Sequence, residues 1–347
     1  MTAEPGAVDL VTLGRWMDDQ GLEPGAEIVD VERIAGGTQN VLLRFRRGAR
    51  TFVLRRPPPH KRANSDETMR REARVLAALA GTDVPHPALI AACGDEAVLG
   101  AAFYLMEPVT GFNPTTGLPE PHRSDPDRQR AIGLSMADGI AAVGRVDVRA
   151  VGLGDFGKPD GWLERQVDRW RSHLASYDAM EGYAGPAGIP DVDRVATWLE
   201  ARRPARWTAG LIHGDFHFAN VLVHPEEGRL AAIVDWELAT LGDPLLDLGH
   251  LLATWPSQES PMPLPGSAAG ALPSREEVIA RYAAGSTRPV DDVDWYQVLA
   301  CYRLGIILEG THARAAAGLA PAAVGDLLHA HTVSLFEQAH RLIDAAP

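Results

Sequence analysis

Residues 211–250 read LIHGDFHFANVLVHPEEGRLAAIVDWELATLGDPLLDLGH, and the rest of the chain is interpreted outward from them. Three short apolar runs, Leu211–Ile212, Val221–Leu222–Val223 and Ala232–Ile233–Val234, have the composition of buried strands. Polar side chains interrupt them at His213, Asp215, Asn220 and Asp235. Charged groups are rarely buried without partners, so carboxylates spaced between apolar strands belong on the lining of a cleft. The residue types suit phosphoryl transfer. That reaction needs a carboxylate to orient an attacking hydroxyl and take its proton, the role expected of Asp215. It also needs hard oxygen ligands for magnesium bridging the phosphates, the role expected of Asn220 and Asp235.

On the N-terminal side, residues 8–20 have the pattern of a short amphipathic helix. In residues 28–59, IVDVERIAGGTQNVLLRFRRGARTFVLRRPPP, the alternation of Val29, Val31, Val41, Leu43 and Phe45 with polar residues predicts antiparallel strands. Gly36–Gly37 makes the first turn, Gly48–Ala49 the second, and Pro57, Pro58 and Pro59 end the third strand. Residues 65–80 have helical spacing at Met69, Ala73, Leu76 and Leu79, with Ser65 or Asp66 as the expected cap. Residues 97–107 are expected to add a strand pair. Beyond them the chain is mainly helical, near 124–145, 160–177, 191–202, 274–285, 293–317 and 321–345. A Gly/Pro/Ser-rich loop spans 256–274. Trp162 and Trp170, eight residues apart, are expected in the core or a pocket wall, and Trp236 beside the polar cluster.

HGDFHFANVLV followed by IVDWE and GDPLLDLG resembles the aminoglycoside phosphotransferase-like superfamily, which shares its fold with protein kinases. The pattern H-x-D-x-x-x-x-N, then an apolar strand ending in Asp, falls on His213, Asp215, Asn220 and Asp235. The resemblance implies an α+β bilobal kinase-like fold, with a β-rich N-lobe carrying one main helix (1–107) and a mostly helical C-lobe (108–347). It implies ATP and Mg²⁺ as cofactors, Asp215 as catalytic base, and Asn220 and Asp235 as metal ligands. His213, Asp243 and Asp247 would be structural, holding the catalytic loop and starting the next helix. IAGGTQN matches the glycine turn over the nucleotide phosphates, which brings Gly36, Gly37, Thr38 and Asn40 to the nucleotide. The third strand should carry the phosphate-holding cation. Kinases use Lys there, and this chain has Arg55, a planar fork in place of a point charge. Glu72 is its implied ion-pair partner, and FYLME (103–107) leads to a hinge at Glu107–Gly111 whose backbone would meet adenine. Two further stretches, VGLGDFGKPDGWLERQVDRW (151–170) and YRLGIILEGTHARAAAG (302–318), resemble the branch found alone in bacteria or joined to acyl-CoA dehydrogenases. That branch is associated with hydroxyacyl-type substrates, alongside the aminoglycoside-like acceptors of the wider superfamily.

The chain has 347 residues, a length suited to two lobes, and its 46% hydrophobic content is enough for a core. A formal net charge of −13 argues against a nucleic-acid partner. The acidity is concentrated after residue 107, a field that would attract a cationic substrate, while Arg44–Arg56 form a basic cluster expected near polyphosphate. No apolar run reaches a membrane span, and no signal peptide is evident. Cys93 and Cys301 match no metal or redox spacing. Together these features imply a cytoplasmic protein, and the resemblance implies a small-molecule hydroxyl as its substrate.

Two other classes compete. His213, Asp215 and His217 alternate, and on a strand they would share one face; with Asp235 and His250 they could form a zinc or di-metal hydrolase site. A nucleotide-binding pseudokinase is the second, supported by Arg55. A protein kinase is disfavoured because G-x-G-x-x-G and A-P-E are both missing.

Overall fold

A computed structural model describes residues 8–34, 40–256, 264–268 and 270–346. Gly36, Gly37, Thr38 and part of the 256–274 loop lie outside the described residues.

The N-terminal part runs α1 (Leu10–Asp19), β1 (Ile28–Arg33), β2 (Val41–Arg47), β3 (Arg50–Arg56), α2 (Ser65–Leu79), β4 (Leu89–Cys93), α3 (Glu96–Leu99) and β5 (Phe103–Met106). The five strands form one antiparallel sheet in the order β1-β2-β3-β5-β4. Successive strand side chains point to opposite faces. Phe52, Leu54, Phe103 and Leu105 therefore pack with Leu13 and Met17 of α1 on one face. Val53, Tyr104 and Met106 share the other with Met69, Ala73 and Leu76 of α2. Arg55 pairs in register with Tyr104. The same alternation thus turns a cation toward α2 in an otherwise apolar layer.

Two expectations are corrected. Residues 97–107 do not make a strand pair. Asp95 Oδ1 accepts the Ala97 amide at 2.9 Å, and Gly100 closes the turn at φ +75°, so residues 96–99 are helical. β5 pairs instead with β3 and β4, both formed by the chain before this turn. Nor does Ser65 or Asp66 cap α2. Ser65 Oγ accepts the Arg62 amide, and Asp66 Oδ1 accepts the Ala102 amide at 2.8 Å, tying the helix to the start of β5.

The C-terminal part contains α4 (Pro126–Arg145), α5 (Gln166–Ala175), α6 (Val192–Ala201), β6 (Gly210–Ile212), β7 (Val221–Val223), β8 (Leu230–Ile233), β9 (Thr240–Gly242), α7 (Leu245–Ala253), α8 (Arg275–Gly285), α9 (Val293–Ala316) and α10 (Ala322–Ala345). β6 pairs with β9 and β7 with β8, giving two small antiparallel ribbons. Among the described residues, no helix is long and apolar enough to cross a membrane. Trp162 and Trp170 are buried, and both cysteines are free and buried. The lobes are joined through α2. Arg71 donates to the carbonyls of Phe156 at 3.1 Å and Ala239 at 3.2 Å, with its guanidinium 4.0 Å from the Phe156 ring centroid.

α7 packs closely on α9. At Gly249 an added Cβ would lie 2.5 Å from both the carbonyl carbon and oxygen of Tyr296 on α9. Backbone atoms cannot swing aside, so Gly249→Ala should lower unfolding stability by about 1–3 kcal/mol or more, the usual cost of overpacking. A urea midpoint that falls at unchanged slope would show it.

Candidate active site

The loop between β6 and β7 carries His213 to Asn220, and its shape is fixed by two buried groups. Asp247, on the first turn of α7, accepts the His213 amide at 2.7 Å and the Gly214 amide at 2.8 Å on its two oxygens. Burial pushes its carboxyl up to about 6. His213 is fully buried, and burial pushes its imidazole down to about 4. The ring is therefore neutral: Nδ1 accepts the Asp215 amide at 3.3 Å, and Nε2 donates to the Val234 carbonyl at 3.0 Å. One imidazole thus ties the catalytic loop to the strand end that presents Asp235. Trp236 packs on it, with ring centroids 4.8 Å apart. Asp243 starts α7 by accepting the Leu245 amide at 3.0 Å and is held by the Tyr296 hydroxyl at 2.8 Å. The bracing roles expected of His213, Asp243 and Asp247 match this geometry.

Asp215 sits half-buried among donors. Its Oδ2 accepts from Asn220 Nδ2 at 3.1 Å and lies 3.5 Å from His217 Nε2, while Oδ1 lies 3.3 Å from His250 Nε2. His217 Nδ1 accepts the Ala219 amide at 3.2 Å, so a neutral His217 ring carries its proton on the Nε2 that faces Asp215. Burial alone would raise the Asp215 carboxyl. His217 and His250 outweigh it and hold the group well below the usual carboxylate range, so it is ionised. The Asn220 carboxamide nitrogen also donates to the Asp215 carbonyl at 2.9 Å, which leaves Oδ1 as a ligand atom.

In the second half of the site, β3 and α2 bring Arg55 and Glu72 to Asp235. Arg55 Nη2 lies 2.7 Å from Asp235 Oδ1, and Arg55 Nε lies 2.9 Å from Glu72 Oε2. Glu72, 1% exposed, also accepts the Tyr104 hydroxyl at 2.8 Å. Burial would lower the Arg55 pKa, but the carboxylate of Glu72, with that of Asp235, reverses the sign and keeps the guanidinium charged. Burial raises the Glu72 carboxyl. Asp235 has φ +67°, a left-handed backbone that is uncommon outside glycine and is often found at functional sites. Burial, reinforced by Asp235 and Glu72, pushes the nearby Glu237 up to about 7. One oxygen from each of Glu72, Asp235 and Glu237 falls within 4.8 Å of the others, and Arg55 supplies one positive charge against them. Hard oxygens and surplus negative charge suit a divalent cation such as Mg²⁺.

Asn40 lines a polar cleft of about 360 Å³ together with Glu237 and Asn64. The Glu107 amide donates to Ala88 at 2.9 Å, and its side chain lies 2.6 Å from Arg50. Two more of the cluster are paired: Arg46 with Asp30 at 2.9 Å and Arg47 with Asp18 at 2.5 Å. Of the basic cluster expected near polyphosphate, Arg55 is the one whose ion pairs reach Asp235, while Arg46, Arg47 and Arg50 pair with Asp30, Asp18 and Glu107. The hydrolase geometry is corrected as well. Residues 213–217 are not a strand, and both His213 nitrogens are occupied; the group that converges is Asp215, His217 and His250.

Beside Asp215 a cavity of about 560 Å³ opens, with His217 and His250 on one side and Trp255, Leu304, Leu308 and Leu328 as walls. Arg341 also lines it, and among the described lining residues there is no Asp or Glu. Sequence reading missed Tyr104 as the Glu72 partner, Glu237, and this cavity. Tyr104 had a signal, since its register opposite Arg55 follows from strand alternation. The cavity had none.

Comparison with known proteins agrees with this geometry. The pattern of the phosphotransferase enzyme family matches residues 30–284. Acyl-CoA dehydrogenase family member 10 of Mus musculus is 31% identical over 314 residues, covering 87% of this chain and 28% of that protein. A probable acyl-CoA dehydrogenase, IBR3, of Arabidopsis thaliana is 34% identical over 282 residues, covering 76% of this chain and 33% of that protein. The chain therefore spans about a third of the length of these curated relatives. A Ralstonia eutropha JMP134 crystal structure, provisionally called an aminoglycoside phosphotransferase, superposes with TM-score 0.82 at 29% identity, over 98% of this chain and 100% of that one. The GDP and kanamycin complex of APH(2'')-IIIa shares the fold, with TM-score 0.63 at 17% identity, over 95% of this chain and 99% of that one.

Proposed function

We propose, from the premise that this chain belongs to the phosphotransferase enzyme family, that it transfers the γ-phosphoryl group of ATP to a hydroxyl on a small molecule with an apolar, acyl-type body. Asp215 takes the hydroxyl proton as the new O–P bond forms and the bond to ADP breaks. Asn220 Oδ1 and Asp235 would hold Mg²⁺, which neutralises charge on the phosphates when bound. Arg55, held by Glu72, faces the phosphates from the other lobe. Residues 36–38 and Asn40 would cover them, and the Glu107 carbonyl or the amides beyond it would meet the base, because the Glu107 amide is already donated. The lobe boundary at 107/108 then coincides with the hinge.

One observation carries the acceptor class: the cavity beside Asp215 has apolar walls, an arginine, and no carboxylate among its described residues. A polycationic aminoglycoside needs carboxylates to replace its water, whereas a hydroxyacyl chain needs apolar walls. The acyl-CoA dehydrogenase names of the curated relatives accord with this. The acidic second half of the chain does not act as a cationic-substrate trap on this reading.

ATP with Mg²⁺ should raise the thermal midpoint more than either alone, and Asp235→Ala should abolish the magnesium-dependent part. Released ADP should be detected with hydroxyacyl thioesters and stay at background with kanamycin-type aminoglycosides. The opposite ranking overturns the acceptor class. Absence of any magnesium-dependent nucleotide effect overturns the kinase reading and leaves the metal-hydrolase reading, which the Asp215–His217–His250 grouping favours as second.

A further inference from the structure

On the far side of the acceptor cavity, α9 and α10 bring together a second set of ligating groups that phosphoryl transfer does not use. Glu309 and His312 are three residues apart on α9, so both point from one face of that helix. His329 on α10 faces them, its Nδ1 2.7 Å from Glu309 Oε2. The other Glu309 oxygen accepts the Tyr183 hydroxyl at 3.0 Å. The His312 and His329 rings lie 4.4 Å apart. His312 Nδ1 is buried and has no hydrogen-bond partner. One ligand atom from each of Glu309, His312 and His329 falls within 4.8 Å of the other two.

Glu309 is 0% exposed. A buried carboxylate requires a cation or several donors, because loss of its hydration is costly. Here it meets a neutral phenol and an imidazole, while a second imidazole nitrogen, His312 Nδ1, makes no hydrogen bond and has the Asp326 carboxylate 3.9 Å away. A carboxylate oxygen plus two imidazole nitrogens is the His₂Glu donor set that binds Zn²⁺ at about 2.0–2.2 Å and leaves a fourth position for water or a further oxygen. Magnesium is disfavoured, since it takes oxygen ligands in near-octahedral array.

We infer that Glu309, His312 and His329 form a binding site for one zinc-like divalent transition metal ion, clamping α9 to α10. The clamp bears on the acceptor cavity: Leu308 and Leu328, which wall it, are the sequence neighbours of Glu309 and His329. The ion would therefore fix the helix spacing that sets cavity width.

Cobalt(II) titration into the EDTA-treated full-length chain, without nucleotide or magnesium, tests the site by visible d–d absorption. One equivalent should give bands of a low-coordinate N/O site, zinc should displace them, and zinc should raise the thermal midpoint. His312→Ala and His329→Ala should each weaken binding by about tenfold or more. His217→Ala, which disrupts the other histidine grouping at Asp215, should leave the bands unchanged. Both histidines of the proposed site are partly exposed, so their alanine variants should fold, and the unfolding midpoint of each apo protein checks this. Absence of cobalt bands at millimolar metal overturns the inference. So do bands that survive His329→Ala but vanish in His217→Ala, which would place the metal beside Asp215. Neither outcome touches the nucleotide assay, so this inference and the kinase reading fail separately.

Discussion

Asp215→Ala should lower phosphoryl transfer by about 10²–10⁴-fold, the usual share of a general base, while leaving ATP binding near its wild-type affinity. The split follows from geometry. Asp215 contacts Asn220 and lies beside His217 and His250, whereas the Arg55–Glu72–Asp235 set takes its ion pairs elsewhere. Its carboxyl is held well below the ordinary range, so it is ready to accept a proton throughout the neutral region. ADP release measures the rate, and calorimetric nucleotide binding measures affinity. Asp215→Asn preserves the shape and one acceptor oxygen and should be nearly as slow, which separates loss of the base from loss of loop structure. Normal turnover in either variant removes Asp215 from the chemistry.

Arg55→Ala should have the largest effect on stability. Glu72 is enclosed by α2 and the sheet, and without Arg55 it keeps the Tyr104 hydroxyl but loses its cation. Breaking a buried pair by removing one partner costs about 3–5 kcal/mol, because an uncompensated charge is left behind. The pH dependence has a definite sign. The folded-state pKa of Glu72 is already raised by burial, and the variant raises it further. A raised carboxyl contributes stability that is present below its unfolded value near 4.5 and is lost as pH rises through the folded value. The deficit of Arg55→Ala should therefore be greatest at neutral pH and shrink toward pH 4.5. Adding Glu72→Gln should recover part of it, and a double-mutant cycle from urea unfolding measures the coupling. Additive single and double variants would show that the pair is not coupled. Arg55→Lys should be intermediate, since one ammonium cannot reproduce a planar fork spanning two carboxylates.

Much of the site was legible because its residues are close in sequence. Asp215 and Asn220 belong to one loop, and a polar pair between strands has few other uses. The longer helices of the C-lobe were legible from their length and period, though not α7, and β1 to β3 were legible from alternation. The region 96–106 was misread because a four-residue apolar helical turn and a short strand have the same composition; only Asp95 and Gly100 at its ends distinguish them. The pairings within the basic cluster were not legible because charge adjacency along a strand says nothing of which carboxylate each arginine meets.

Local residue order alone determined that His213, Asp215 and Asn220 share one loop and that Asp235 follows an apolar strand, since loop spacing and strand period act over a few residues. Tertiary structure alone decided that Arg55 spans Glu72 and Asp235, a partner 180 residues away, that His250 closes on Asp215, and that α9 and α10 juxtapose Glu309 with two histidines. Each of those residues, taken by itself, is equally at home on a solvated surface. Their meaning arises from burial, which removes the water that would otherwise satisfy them and leaves each dependent on a neighbour distant in sequence.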